Sequence, residues 1–408
     1  MNFGLLGRKL SHSYSPQIHE QLGSYPYHLF ECEPDNLQSV LQNGTFDGIN
    51  VTIPYKKAVI PYCSQLSETA KKLGAVNTIV RCNDGRLVGH NTDYFGFSSM
   101  VQISGLSVAK KKVLVLGSGG ASATAVAVLN ELGATVVVIS RSGSDNYDNL
   151  ARHSDAAVVV NATPVGMYPN TGCSPVDLDL FPNAEGVLDL IYNPAKTELL
   201  LQAEARGLVA VNGLWMLVAQ AKESAEWFTG NKISDHVIGQ IHKQLQIQTK
   251  NIILIGMPGS GKSTIGKLLS IQLNRQFVDT DACIIEKSGM SIPEIFQTYG
   301  EAGFRKIESE VMAELGKQSS LIIATGGGCV TVQDNYRHLH QNGTIIWLQR
   351  NIDYLPTEGR PLSQSQNLQQ MYEKRKPLYM QFADYRIDNN QTPEKAVQLI
   401  LSTVGEEA

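Results

Sequence analysis

The stretch NIILIGMPGSGKSTIGKLL (251–269) constrains this chain more than any other. An apolar run enters a glycine-rich turn, and a helical pattern leaves it. Gly256 to Ser263 fits G-x-x-x-x-G-K-[ST]. In that arrangement bare backbone amides cradle phosphates, the lysine reaches the β- and γ-phosphates, and the hydroxyl holds Mg²⁺. A buried strand and a helix N-terminus must flank such a loop. Residues 250–408 are therefore expected to form an α/β P-loop domain. Gly256, Gly259, Ser260, Gly261, Lys262, Ser263 and Thr264 form the expected triphosphate cradle, with Ser263 a metal ligand. The loop starts more than halfway along 408 residues, so other modules precede it.

That length calls for two or three domains. An apolar fraction of 42% and a charged fraction of 18% are ordinary for globular protein. The net charge of -4 gives no basic field, so no nucleic-acid partner is expected. The start, MNFGLLGRKLSHSYS, lacks a long apolar core, and no secretory signal is expected. A run of about 18 apolar residues is missing, so no membrane span is expected. The six cysteines are scattered without a CxxC pair. A reduced cytoplasm without structural zinc is the simple expectation.

VLVLG (113–117), TVVVIS (135–140), AAVVVNA (156–162), GVLDLI (186–191), NIILIG (251–256), SLIIATG (320–326) and TIIWLQ (344–349) read as strands with helical patterns between them. This alternation predicts parallel sheets with crossover helices. The polar segment HKQLQIQTKN (242–251) is the predicted junction between modules.

A second glycine turn lies in KKVLVLGSGGASATAVAVLNELGATVVVISRS (111–142). Gly117, Gly119, Gly120 and Ala121 let the backbone approach a pyrophosphate at a helix N-terminus. The next strand ends in Ser140-Arg141-Ser142. An acid there would accept hydrogen bonds from a ribose 2′-hydroxyl, whereas arginine with hydroxyls suits a 2′-phosphate, so NADP is expected rather than NAD. The plain alternatives are a tight turn and a solvated arginine at a strand end.

Three polar clusters precede this unit. SHSYSP (11–16) sets Ser13 and Ser15 two apart, on one side of an extended segment. NVTIPYK (50–56) places Asn50, Thr52 and Lys56 at a strand end and its turn. GHNTDYFGF (89–97) holds Asn91 and Asp93 before a helix. Taken singly, these residues read as caps, turns and surface. Together they suit a polyhydroxylated carboxylate.

These clusters, with GAVNT (74–78), NATPVGM (161–167), DLIYNPAKTELL (189–200) and NGLWMLVAQA (212–221), resemble the shikimate dehydrogenase family in content and order over about residues 1–245. The resemblance implies an α/β substrate domain (1–104 and 214–245) around a Rossmann NADP domain (105–213). It implies Lys56 and Asp93 as the catalytic pair. Ser13, Ser15, Asn50, Thr52, Asn77, Asp93, Tyr192 and Gln220 would meet the substrate, and Gly213 and Met216 the nicotinamide. The family's Asn-Arg-Thr cofactor motif reads Ser140-Arg141-Ser142 here.

Behind the P-loop, FVDTDACI (277–284) puts Asp279 and Asp281 at a strand end, on one side of it. FRKIESEVM (304–312) sets Arg305 and Glu308 three apart on a helix, by default a solvated ion pair. ATGGG (324–328), GRPLS (359–363) and RKPLYMQ (375–381) follow. This set resembles the shikimate kinase family over about residues 250–408. The resemblance implies that Asp281, Arg305, Gly327, Gly328 and Arg375 bind shikimate and that Asp279 and Ser263 serve Mg²⁺. Lys262 and Arg360 would neutralise the transferring phosphoryl group while Asp281 orients the acceptor hydroxyl. The lid QRNIDYLPTEGRPLS (349–363) is short, and it lacks the arginine that stacks on adenine in the family; Asp353 falls in that region.

The expected conversion is 3-dehydroshikimate to shikimate with NADPH, then to shikimate 3-phosphate with ATP and Mg²⁺. Two rivals stand beside it: a dehydrogenase half preferring quinate or NAD, and a module kept only as a non-catalytic regulatory domain.

Overall fold

The computed structural model describes residues 2–10, 13–355 and 368–405. Arg360, expected on the lid, lies outside them. The chain divides into two compact units: residues 1–167, 173–192 and 199–244, and residues 245–408 with the short stretches 168–172 and 193–198.

The first unit contains two sheets. One orders its six strands Tyr27–Glu31, Phe3–Gly7, Gly48–Val51, Thr78–Arg81, Leu87–His90 and Gln65–Leu66. The alternation in the sequence predicts parallel sheets, but Thr78–Arg81 runs antiparallel to both of its neighbours. The cause is local. Cys82 N donates to Arg86 O and Gly85 N to Cys82 O, so the chain returns through a tight turn instead of a helical crossover.

The other sheet is wholly parallel, in the order Val209–Val211, Gly186–Asp189, Val158–Asn161, Lys112–Leu116 and Thr135–Ile139. Apolar side chains cover both faces, as a sheet flanked by helices requires. The strand order reverses at Lys112–Leu116, and the crevice at the carboxyl end of such a strand is where an α/β sheet receives ligands. Val158–Asn161 starts later than its apolar run because Ala156 N still closes a turn on His153 O.

The second unit has a parallel sheet in the order Phe277–Asp279, Ile322–Ala324, Asn251–Ile255, Gly343–Gln349 and Tyr385–Asp388. Asn251–Ile255 is central and fully buried, so its loop opens at the middle of the sheet edge. The polar junction segment is mostly helix. His236–Thr249 is continuous, with Ile238, Ile241 and Leu245 buried at helical spacing. Its glutamines and lysines are the outer face of an amphipathic helix. No helix of the described residues is long and apolar enough to cross a membrane.

Candidate active sites

In the first unit a hydrogen-bonded cluster ties the mixed sheet to the helix Leu214–Thr229. Lys56 lies in the turn after Gly48–Val51, pinned by Val76 N donating to its carbonyl. Asp93 is the first residue of the helix Asp93–Ser104, after the cap position Thr92. A carboxylate is favoured at that helix end. Lys56 Nζ meets Asp93 Oδ2 at 2.5 Å, with side chains 27% and 12% exposed. The pair is sheltered, yet one side of the ammonium remains open. Asn77 Nδ2 donates to the other oxygen, Asp93 Oδ1, at 2.9 Å, and Asn77 Oδ1 accepts from Thr92 N at 2.7 Å. Gln220 Nε2 donates to Leu217 O, and its Oε1 faces Thr92 Oγ1 at 3.4 Å and Asn77 Nδ2 at 3.5 Å. Lys56, Asp93, Asn77 and Gln220 are thus brought together from four segments.

Ser13 and Ser15 are not on an extended segment. Ser13 N donates to Leu10 O, Ser15 N donates to Ser13 Oγ at 3.2 Å, and Ser15 opens the helix Ser15–Leu22, with proline at its first turn. Tyr14 between them lies with its ring 5.6 Å from that of Tyr192, whose phenol burial pushes up. Thr52, half-buried, is fixed by its amide on Leu6 O.

Asn50 is held by neighbouring side chains. Its Oδ1 accepts from Tyr27 Oη at 2.8 Å, and its Nδ2 donates to Ser224 Oγ at 2.7 Å and Thr78 Oγ1 at 3.0 Å. Buried among these partners, it braces the cluster and ties the strand Gly48–Val51 to the helix Leu214–Thr229. Thr78, Thr92 and Ser224 share hydroxyl contacts of 3.0–3.3 Å. Thr78 and Thr92 lie within the GAVNT and NTD motifs and were findable there. Ser224, a lone helical serine bonded to Gln220 O, carries no signal in sequence.

The dinucleotide turn follows Lys112–Leu116. Gly117 has φ +106°, a left-handed conformation that excludes side chains, and its amide bonds Ile139 O at 2.8 Å. Gly119 and Gly120 face open space: a Cβ on either would meet nothing within 4 Å. The helix Gly120–Glu131, with Ala121 in its first turn, points its free amides there. Ser140 and Arg141 come next to this turn, and Arg141 is exposed. Burial pushes the Tyr147 phenol up, and the nearby Arg141 guanidinium opposes that. Gly213 caps the helix Leu214–Thr229, and Met216 and Leu190 each pack against the core beneath. Open amides and an exposed arginine at the end of the neighbouring strand fit a dinucleotide carrying a 2′-phosphate.

In the second unit Gly256, Gly259 and Gly261 have φ of +146°, +83° and +95°. Gly256 is also pressed against Leu348 O, which a Cβ would approach to 2.6 Å. Ser260 is buried, its Oγ without a hydrogen-bond partner. Asn389 Nδ2 donates to Ser260 O at 2.5 Å and clamps the loop, a role the sequence did not announce. Lys262 is 8% exposed, its ammonium turned onto Gly256 O and Met257 O at 2.9 Å each. Both acceptors are carbonyls of the loop itself. Ser263 and Thr264 are exposed at the helix start.

Ser263 Oγ donates to Asp279 Oδ2 at 2.7 Å. Asp279 ends its strand, and its Oδ1 accepts from Asp281 N at 3.1 Å. The two aspartates therefore do not share a strand side as expected, because the helix Thr280–Ser288 begins between them and Asp281 sits in its first turn. A hydroxyl and a carboxylate are hard oxygen donors that fit Mg²⁺, an ion that keeps water and phosphate ligands. No group of three or more His, Cys, Asp or Glu placed to hold a metal occurs among the described residues.

Arg305 and Glu308 lie on the helix Ile292–Gly316. The solvated pair expected by default is in fact buried. Arg305 Nη1 donates to Glu308 Oε2 at 2.7 Å, and Glu308 is 0% exposed. Burial pushes its carboxyl up, with the Arg305 guanidinium opposing, and its Oε1 has no hydrogen-bond partner. A Cβ on Gly328 would collide with the Arg305 guanidinium, so only glycine lets the arginine lie on this loop. Gly327 O accepts from Arg375 Nη1 at 3.2 Å and Tyr379 Oη at 2.5 Å. Asp281 Oδ1 and Glu308 Oε1 flank Gly326. Two arginines, a carboxylate and a bare glycine loop thus converge, as recognition of a small hydroxylated acid requires.

Residues 258–405 match the family model for shikimate kinase, and residues 5–79 that for the shikimate dehydrogenase substrate binding domain. The NADP(+) shikimate dehydrogenase of Clostridium perfringens is 34% identical over 266 residues, covering 60% of this chain and 98% of that protein. Shikimate dehydrogenase 1 of Peptoclostridium difficile superposes with a TM-score of 0.56 at 38% identity, over 60% of this chain and 98% of that one. The Thermus thermophilus shikimate 5-dehydrogenase, solved with NADP(H) and shikimate, gives 0.55 at 32% identity, over 60% and 99%.

Proposed function

The chain belongs to the shikimate dehydrogenase family over its first 60% and carries a shikimate kinase domain behind it, and we propose that it reduces 3-dehydroshikimate to shikimate with NADPH and then phosphorylates shikimate with ATP. The observation that carries the reading is the 2.5 Å Lys56–Asp93 pair set among Asn77, Thr92 and Gln220. When bound, NADPH supplies the hydride and Mg²⁺-ATP the phosphoryl group.

Lys56 donates a proton to the ketone oxygen as negative charge develops there. Asp93 keeps the ammonium aimed and accepts from a substrate hydroxyl, while Asn77 holds the carboxylate from its other side. Ser13, Ser15, Asn50, Thr52, Gln220 and Tyr192 orient the ring by its hydroxyls and carboxylate. In the kinase half Arg305 and Arg375 take the carboxylate, and Gly327 and Gly328 let it approach the backbone. Asp281 orients the acceptor hydroxyl. Lys262 leaves its carbonyl partners to neutralise charge on the phosphoryl group, and Arg360 is assigned the same task from the lid sequence alone. Ser263 and Asp279 would hold Mg²⁺.

A cytoplasmic enzyme without nucleic-acid or membrane partners completes the proposal, supported by the net charge of -4 and the scattered cysteines. The test is to incubate the chain with 3-dehydroshikimate, NADPH, ATP and Mg²⁺ and analyse products by mass. Shikimate 3-phosphate is expected. If neither half alters its substrate, the reading fails.

A further inference from the structure

The loop that would receive a 2′-phosphate also contains an acid. Ser140 N donates to Asp145 O at 3.2 Å, folding residues 140–145 back on themselves beside the dinucleotide turn. A free carboxylate here would pair with Arg141 and repel a phosphate dianion. It would also accept hydrogen bonds from the 2′-hydroxyl of an unphosphorylated ribose. The structure shows it turned elsewhere. Asp145 Oδ1 lies 2.9 Å from Nε2 of His153, a residue only 9% exposed, and Ser144 Oγ donates to Asp145 Oδ2 at 3.4 Å. The rest of the loop is tied down as well. Asn149 Nδ2 donates to Ser144 O at 2.8 Å, and Asn146 and Asn149 form a reciprocal cap on the turn Tyr147–His153. Arg141 makes no hydrogen bond or ion pair among the described residues.

We infer that the His153–Asp145 pair sets cofactor selectivity: it holds the acid away from Arg141 and leaves the guanidinium free for the 2′-phosphate. His153 is a positioning residue, acting through Asp145. The inference rests on the NADP reading of this site and adds a determinant to it.

The test compares kcat/KM for NADPH and NADH on the full chain. His153→Phe keeps an aromatic ring and removes the donor. The NADPH/NADH ratio should fall by roughly tenfold, the loss of one charge-assisted contact. His153→Gln, which keeps a donor, should retain the ratio, and Asp145→Asn in the His153→Phe background should restore it. Both cofactors are read on one preparation, so a partly unfolded variant leaves the ratio intact. Should His153→Phe give no active enzyme, His153→Ala is read in the same way. A ratio unchanged within about twofold in these variants, or a fall that Asp145→Asn does not reverse, would overturn the inference. A wild-type chain without preference for NADPH would instead overturn the cofactor reading beneath it.

Discussion

Replacing Glu308 by glutamine tests whether the kinase half depends on a buried charge. The side chain is 0% exposed, and Arg305 is 12% exposed, so water screens their 2.7 Å contact little. Glutamine keeps the shape. Its carbonyl can still face Arg305, and its amide NH₂ takes the position of the unpartnered Oε1. What changes is the charge on the acceptor. A hydrogen bond to a charged group contributes about 1.5–3 kcal/mol, and a neutral one about 0.5–1.5. Arg305 should therefore be held more loosely by about 1–2 kcal/mol, its other acid partner being the exposed Glu301. The expected result is a rise of roughly 5- to 30-fold in the kinase KM for shikimate, with kcat less affected. The assay supplies shikimate directly with ATP and Mg²⁺. Dehydrogenase activity in the same sample is the internal control, because the second unit alone is perturbed. An unchanged KM would refute the reasoning, and a parallel loss of both activities would show a folding defect in its place.

Lys56→Ala should lower dehydrogenase kcat by at least about 100-fold with a smaller effect on KM, since it removes a proton donor rather than a substrate anchor; near-normal turnover would reject that role. Ser263→Ala should raise the Mg²⁺ concentration needed for half-maximal kinase rate by roughly 5- to 10-fold, because it removes one of the two oxygen donors proposed for the ion; a magnesium titration that overlays wild type would exclude this site. Burial pushes the His19 imidazole down to about 3. The unfolded histidine binds its proton near pH 6.5, so the unfolded state takes up more protons between about 6.5 and 3. Stability conferred by burying neutral His19 should thus be complete above pH 6.5 and fall by up to about 1.4 kcal/mol per unit on acidification. The urea midpoint for loss of dehydrogenase activity, followed from pH 7 to pH 5, should show that fall, and His19→Phe should flatten it. An equal slope in the variant would assign the acid sensitivity to other groups.

The sequence alone determined the features that are local along the chain. The P-loop occupies eight consecutive positions, and its glycines, lysine and serine must take that backbone path wherever the strand lies. The dinucleotide turn and the parallel strands from 112 onward were legible for the same reason, since apolar runs and bare turns dictate their own geometry over a few residues. The tertiary structure decided whatever depends on burial and on segments distant in sequence. Glu308 reads as half of a solvated pair until the glycine loop covers it. Asn50 shows its partners Tyr27, Thr78 and Ser224 only once three distant segments meet around it. The Asp145 carboxylate reads as a free loop acid until His153, eight residues on, faces it. Spacing along a chain fixes which side of an element a residue occupies. It does not fix which other element arrives there, and for a charged or polar group that arrival sets its hydration and its partner.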